Sequence, residues 1–164
     1  MSDPHDGIRW SPEFSPPVCA VHVGNELAMA VPAAHVWAWL IRAQLWPTWY
    51  SNSKNVRILN GAPPDLALGT RFRWRTFGAA IESEVVEFVP GQRIAWNATG
   101  LGVTACHAWL LRETTEGCHV LTEERQHGWA ARFQHLVWPG RMPSGHQNWL
   151  ESLRDYAAGG PPKA

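Results

Sequence analysis

Hydrophobic and polar residues alternate along residues 18–31, and this alternation predicts a β-strand. Because the side chains of a strand point alternately to its two faces, one face collects four apolar residues: Val21, Val23, Leu27 and Met29. Asn25 falls on the same face, so one polar side chain is expected among these apolar ones.

Helical spacing replaces the alternation directly after this strand. Pro32 suits the first turn of a helix, and Val36, Leu40 and Ala43 follow at intervals that place them on one face. Pro47 prevents this helix from continuing, so the segment LWPTWYSN predicts a second short helix or a turn.

Six further strands are predicted between residues 54 and 127, because short alternating runs are separated by turns rich in glycine and proline. Their predicted bounds are 54–60, 69–77, 79–89, 92–99, 103–113 and 117–127. Short turns join antiparallel neighbours, so these strands and the first one are expected to form a single antiparallel sheet.

Charged residues indicate which face of the sheet meets water. Arg71, Arg73 and Arg75 share one face of their strand, and Glu82 and Glu84 share one face of the next strand. Opposite charges on facing strands stabilise the pair and help to fix its register. The arginine row is therefore expected to face solvent rather than bind phosphate, and four apolar residues turn inward: Phe72, Trp74, Ile81 and Val85.

The C-terminal part predicts a helical or irregular piece, WAARFQHLV, followed by a long helix. Ser144 and Gln147 stand at the spacing of a capping box, and Gly159-Gly160-Pro161 ends the helix. Its apolar stripe consists of Trp149, Leu150, Leu153 and Tyr156. The element order predicts an α+β fold: a curved seven-stranded antiparallel sheet wrapped around the long C-terminal helix, with two short helices after the first strand.

The length of 164 residues suits one domain, which the pattern assigns to residues 17–158. Residues 1–16 contain scattered prolines and no periodicity, and they predict a flexible tail or a loosely attached strap. Residues 159–164, with the sequence GGPPKA, predict a second flexible tail.

Basic and acidic residues each number 14, so the formal net charge is zero and gives no electrostatic reason to expect a nucleic-acid or membrane partner. No apolar run approaches the roughly 20 residues of a membrane span, and the first residues lack the apolar core of a signal peptide. The three cysteines have no CxxC spacing, which favours a reducing, cytoplasmic setting. A monomer or a homodimer is expected.

Six phrases of the sequence occur in the order typical of one large superfamily. They are VPAAHVWAWLIRAQLWPTWY (31–50), LGTRFRW (68–74), VVEFVPGQRIAW (85–96), HAWLL (107–111), TEERQHG (122–128) and HQNWLESL (146–153). Through them the chain resembles the START-like superfamily, also called SRPBCC or polyketide cyclase/dehydrase-like, over residues 20–157. The resemblance implies a helix-grip fold of the Bet-v-1 type with a deep cavity between the sheet and the last helix.

Members of this superfamily include lipid carriers, hormone receptors, allergens and aromatase/cyclases, so function has to be argued from the cavity residues. The iron and Rieske ligand pairs of its oxygenase branch do not occur here, and that branch is excluded.

Alternation places His107 and Glu124 on adjacent strands and on faces that point to the same side. A carboxylate beside an imidazole holds its tautomer and raises its basicity, so this pair suits general acid/base catalysis of enolisation, aldol closure or dehydration. A lone histidine on an apolar strand is more often a hydrogen-bonded structural residue. Both interpretations stay open.

Tryptophan is the outlier of the composition, with eleven residues that suit either a thick core or the wall of a pocket for a flat, apolar ligand. The predicted ligand-binding residues are Trp74, Trp96, Trp109, Thr122, His146, Trp149 and Tyr156. Neither a metal nor a cofactor is predicted, because metal-binding and nucleotide-binding motifs are missing at any recognisable spacing.

Three functions therefore compete. The first is the binding of a hydrophobic small molecule, such as a polyketide, an aromatic metabolite or a lipid. The second is a cofactor-independent cyclase or dehydratase acting on such a ligand through His107 and Glu124. The third is a non-catalytic carrier or accessory domain that acts through a protein partner.

Overall fold

Seven antiparallel strands form one sheet in the computed structural model, which describes residues 7–15 and 19–163. The spatial order of the strands is β1-β7-β6-β5-β4-β3-β2. Their bounds are β1 Val21–Met29, β2 Lys54–Ile58, β3 Arg71–Thr76, β4 Ala79–Val89, β5 Arg93–Gly100, β6 Val103–Thr114 and β7 Gly117–His127. The predicted sheet is confirmed, but its first strand covers Val21–Met29 and not the predicted 18–31. Residue 18 lies outside the described residues, which omit 1–6, 16–18 and 164.

The described part of the chain also contains four α-helices: α1 Ala33–Ile41, α2 Trp46–Trp49, α3 Trp129–Val137 and α4 Arg141–Ala157. Short 3₁₀ helices cover Pro12–Phe14 and Ala43–Leu45. The α+β helix-grip architecture expected from the sequence is confirmed. Among the described residues, no helix has the length and apolar composition needed to cross a bilayer.

The arginine–glutamate pattern sets the register of β3 and β4 as expected. Arg71 faces Glu84 and Arg73 faces Glu82 across the two strands, and Glu82 pairs with both arginines. Phe72 and Trp74 are buried on the opposite face, where the Trp74 Nε1 donates a hydrogen bond of 3.1 Å to the Ser83 hydroxyl. The sheet thus has a charged outer face and an aromatic inner face at this edge.

The start of the last helix differs from the prediction. Helix α4 begins at Arg141, three residues before Ser144, and the residue before its first turn is Gly140 without any side-chain cap. Pro143 lies in the first turn, where a missing backbone N–H costs nothing because that N–H has no acceptor within the helix. Ser144 is therefore inside the helix, and its backbone N–H bonds the Gly140 carbonyl at 3.1 Å.

Helices α1, α2 and α4 cover the inner face of the sheet and enclose the main core. Trp46 lies at its centre, and its ring contacts Phe72, Trp74, Trp96 and Trp149 at centroid distances of 5.2–5.7 Å. Edge-on and tilted aromatic contacts of this kind add to the stabilisation from burial.

The outer face of β5, β6 and β7 carries the N-terminal segment 7–15. Phe14 is fully buried there in a small cluster with Ala95, Cys106 and Ala108. Arg125 holds the segment in place, since its Nη1 donates to the Phe14 carbonyl at 2.9 Å and its guanidinium lies 4.3 Å from the centre of the Trp10 ring. This part of the expected tail is packed against the sheet.

Candidate functional site

A small pocket of about 70 Å³ lies between the inner face of the sheet and helices α3 and α4. Three partly exposed residues border its outer end: Phe77, Val103 and Gln134. Its inner end is lined by tryptophans and by the ionisable residues His107, Glu124 and His146.

The deep cavity implied by the family resemblance is largely occupied by side chains. Ligand pockets commonly measure about 300–1,000 Å³, whereas the space here holds only about five water molecules. The aromatic rings of Trp46, Trp96, Trp109 and Trp149 fill the middle of the interior, all nearly or fully buried. Much of the tryptophan content therefore serves the core, and the pocket lies at the end of the interior that carries the polar cluster.

Strand register brings the first two polar residues together. His107 on β6 is directly opposite Glu124 on β7, and the His107 Nδ1 lies 3.4 Å from the Glu124 Oε2. Both strands belong to the middle of the sheet, flanked by β5 and β1, so the pair sits on a rigid support.

Helix α4 supplies the third member of the cluster. The His146 Nε2 lies 3.0 Å from the Glu124 Oε2, and the Gln126 side-chain amide donates to the Glu124 Oε1 at 2.6 Å. Burial alone would raise the pKa of Glu124, but the hydrogen bond from His146, the imidazole of His107 and the Gln126 amide together lower that pKa to about 2. Glu124 is therefore an anion throughout the physiological pH range.

This ionisation fixes the proton on His146. An ionised carboxylate only accepts hydrogen bonds, so the His146 Nε2 must carry the hydrogen that it shares with Glu124. In the neutral ring the other nitrogen, Nδ1, is then a bare acceptor. That Nδ1 is buried and has no partner among the described residues, although the side chain lines the pocket.

His107 has a supporting position behind this pair. Its Nε2 lies 2.7 Å from the Thr122 hydroxyl, and its ring stacks on that of His146 with centroids 4.7 Å apart. Burial lowers the pKa of His107 to about 3, against a raising influence of Glu124, so the ring is neutral at pH 7. A neutral His107 keeps His146 in place without adding a competing positive charge.

The cluster also has the composition of a metal-binding set. One ligand atom each from His107, Glu124 and His146 lies within 4.8 Å of the other two, and two imidazoles with a carboxylate can bind a divalent cation. In this geometry, however, the Glu124 Oε2 already accepts the His146 N–H at hydrogen-bond distance. We therefore interpret the three residues as a hydrogen-bonded network.

The remaining predicted site residues divide into three groups. Trp74, Trp96 and Trp149 line the pocket. Trp109 and Thr122 are buried behind it, where Thr122 bonds His107. Tyr156 lies at the opposite end of α4, is 42% exposed, and donates its hydroxyl hydrogen to the Thr48 carbonyl at 3.0 Å, so it is not part of this pocket.

Three residues of the site were not selected as candidates from the sequence. Gln126 lies two residues after Glu124 and therefore on the same face of β7, and its side-chain amide donates to the carboxylate. Gln134 and Phe77 come from α3 and from the β3–β4 turn, whose positions relative to the sheet leave no local signal. Phe77 approaches α4 closely, because a Cβ on Gly145 would lie 2.6 Å from its ring.

A family model described as "Polyketide cyclase / dehydrase and lipid transport" matches residues 20–158. No curated protein matches the chain.

Solved structures resemble it over most of its length. A hypothetical protein, jhp0584 from Helicobacter pylori, is 31% identical with a TM-score of 0.84, over 92% of this chain and 95% of that one. The ZhuI aromatase/cyclase from Streptomyces sp. R1128 is 16% identical with a TM-score of 0.70, over 87% and 99%. Norcoclaurine synthase from Thalictrum flavum, solved with dopamine and hydroxybenzaldehyde, is 14% identical with a TM-score of 0.66, over 87% and 89%. At such identities the last two show the shared fold alone.

Proposed function

Since the chain belongs to the polyketide cyclase/dehydrase and lipid transport family, we propose that it binds a small aromatic or polyketide-derived molecule in the pocket and transfers protons on it without a cofactor. Membership of this family was expected from the sequence and is confirmed. The observation that carries the proposal is the hydrogen-bonded pair of Glu124 and His146, whose free Nδ1 has no partner within the described part of the chain.

The polar atoms left without partners indicate the chemistry of the ligand. The His146 Nδ1 can accept a hydrogen bond and the Trp149 Nε1 can donate one. Both atoms are buried and have no partner in the described chain, so a small side-chain movement has to open them to the pocket before a ligand reaches them. Buried polar groups without partners are costly, so a ligand that satisfies both would gain affinity. A single aromatic ring that carries a hydroxyl and a carbonyl group could bond both atoms, the hydroxyl to the His146 Nδ1 and the carbonyl to the Trp149 Nε1. Such a ring also suits the apolar walls and the small volume of the pocket.

The same arrangement suits proton transfer next to a carbonyl. When the ligand lies with its carbonyl end, rather than its hydroxyl, beside His146, the Nδ1 would remove a proton from the carbon adjacent to that carbonyl, and the electrons of the broken C–H bond would form an enolate. The Glu124 carboxylate stabilises the imidazolium that results, as in other carboxylate–histidine pairs. In a dehydration the imidazolium would return its proton to a departing hydroxyl group, which leaves as water.

Binding is tested first with 4-hydroxybenzaldehyde as the probe. We expect it to change the tryptophan fluorescence of the protein, and we expect His146→Leu to weaken its binding about tenfold, the value of one hydrogen bond of 1–1.5 kcal/mol. His135→Leu, which removes an exposed imidazole on α3, is the matched control and should bind like the wild type. Absence of any saturable response, or equal weakening in both variants, would contradict the assignment of the pocket.

Catalysis is tested separately by the exchange of the methyl protons of 4-hydroxyacetophenone in D₂O, followed by NMR. The wild type should accelerate the exchange over buffer, and Glu124→Gln and His146→Gln should each reduce the acceleration by about 100-fold or more, since a positioned base contributes roughly 10²–10⁴. His135→Gln should retain the wild-type rate.

Two outcomes would contradict the catalytic part of the proposal. One is binding without any exchange above buffer, which would favour the carrier function. The other is exchange that disappears with EDTA and returns with Zn²⁺, which would assign the cluster to a metal.

A further inference from the structure

Helix α3 presents large apolar side chains to solvent. Trp129, Phe133 and Leu136 are spaced four and three residues apart and so lie on one side of the helix. Their exposed fractions are 72%, 59% and 81%, and Trp138, just beyond the helix, is 57% exposed. Together these four residues form what we term the α3 face. Single exposed apolar residues are common, but a contiguous set of this size marks an interaction surface.

The opposite side of α3 is anchored to the domain. Ala131 is buried in a cluster with Val21, Val23 and Met142. Gln134 lines the pocket described above. The helix is therefore held with its largest side chains pointing outward, and it lies between the α3 face and the pocket.

The formally charged residues of the stretch that contains this helix all have one sign. No aspartate or glutamate occurs from residue 125 to residue 150, whereas this stretch contains three arginines, of which Arg132 and Arg141 are exposed. The net charge of the chain is zero, so the compensating acidic residues lie elsewhere in the sequence. A second copy docked face to face would bring arginine against arginine, whereas an anionic partner would be attracted.

We propose that the α3 face docks on the surface of an anionic phospholipid bilayer. Trp, Phe and Leu on one side with arginines beside them is the composition of helices that lie in the membrane interface. Docking there would place the pocket behind α3, close to the bilayer surface. The balanced total charge had suggested no membrane partner, and the local distribution of charge leads to the opposite inference. The binding of 4-hydroxybenzaldehyde in solution does not depend on this docking.

Co-sedimentation with vesicles tests the inference. We expect the wild type to bind vesicles of phosphatidylcholine mixed with phosphatidylglycerol more tightly than vesicles of phosphatidylcholine alone, and less tightly as salt is added. Leu136→Asp and Phe133→Asp should each weaken this binding at least about tenfold, because each removes an apolar side chain that would be buried in the bilayer. Arg132→Glu should weaken it about tenfold through charge.

Leu68→Asp is the matched control, since Leu68 is 67% exposed on the β2–β3 loop and outside the α3 face. It should bind vesicles like the wild type, and all variants should bind 4-hydroxybenzaldehyde equally in solution. The inference fails if the wild type does not bind anionic vesicles, or if Leu68→Asp loses binding as much as Leu136→Asp. It also fails if the wild type is a dimer by sedimentation velocity that Leu136→Asp converts to monomer, because the α3 face would then be a self-interface.

Discussion

Replacing Trp46 with alanine is expected to lower the free energy of unfolding by about 3–5 kcal/mol, the usual cost of removing a large aromatic side chain from a core. Trp46 is fully buried and touches four other aromatic rings from three different parts of the fold. Its Nε1 also donates to the Leu40 carbonyl at 2.9 Å, and the variant leaves that buried carbonyl without this partner. The cavity and the lost hydrogen bond act in the same direction.

Urea unfolding followed by far-UV circular dichroism measures this effect, because tryptophan fluorescence changes when a tryptophan is removed. Trp138→Ala is the matched control, since it deletes the same side chain at an exposed position and should change the stability by less than about 0.5 kcal/mol. A loss below about 1 kcal/mol for Trp46→Ala would mean that the aromatic cluster is not packed as described.

Lowering the pH is expected to destabilise the protein through His107. Its pKa is about 3 when folded, below the value of about 6.5 for a free histidine. Between these two values the unfolded chain binds a proton that the folded one does not. The stabilisation is therefore fully present above pH 6.5 and is lost as the pH falls towards 3. A difference of one bound proton between the unfolded and the folded state changes the free energy of unfolding by about 1.4 kcal/mol per pH unit.

The test compares wild type with His107→Gln by urea unfolding between pH 6.5 and pH 4.5. Glu124 contributes little to the change over this range. The stability that it provides is lost mainly as the pH falls from the unfolded pKa of about 4.3 towards the folded value of about 2. Over this range the wild type should lose roughly 2–3 kcal/mol more than the variant. His135→Gln, at an exposed position, should retain the wild-type slope. Equal slopes for wild type and His107→Gln would show that His107 is not a buried neutral residue between Glu124 and His146.

The sheet and part of the site could be predicted from the sequence because strand alternation is a local property that determines facing residues. Alternation and the arginine–glutamate pattern identified the inward positions of β3 and β4, and the pairing of His107 with Glu124 followed from the hairpin between β6 and β7. The bond between His146 and Glu124 depends on how α4 lies across the sheet, and no local pattern encodes that.

The size of the interior was likewise beyond the sequence. Eleven tryptophans are compatible with either a cavity wall or a solid core, and only the packing of Trp46 against its neighbours distinguishes the two. The capping pattern at Ser144 was misleading because the helix tolerates Pro143 in its first turn and begins earlier.

The N-terminal segment also protects a thiol. Cys106 points to the outer face of β6, and burial beneath that segment raises the pKa of its thiol to about 12. Because the thiolate is the reactive form, we expect this cysteine to react slowly with oxidants in the intact chain. Proteolysis that removed residues 7–15 would uncover a sulfhydryl group together with Ala95 and Ala108, and the trimmed protein would become prone both to oxidation and to aggregation.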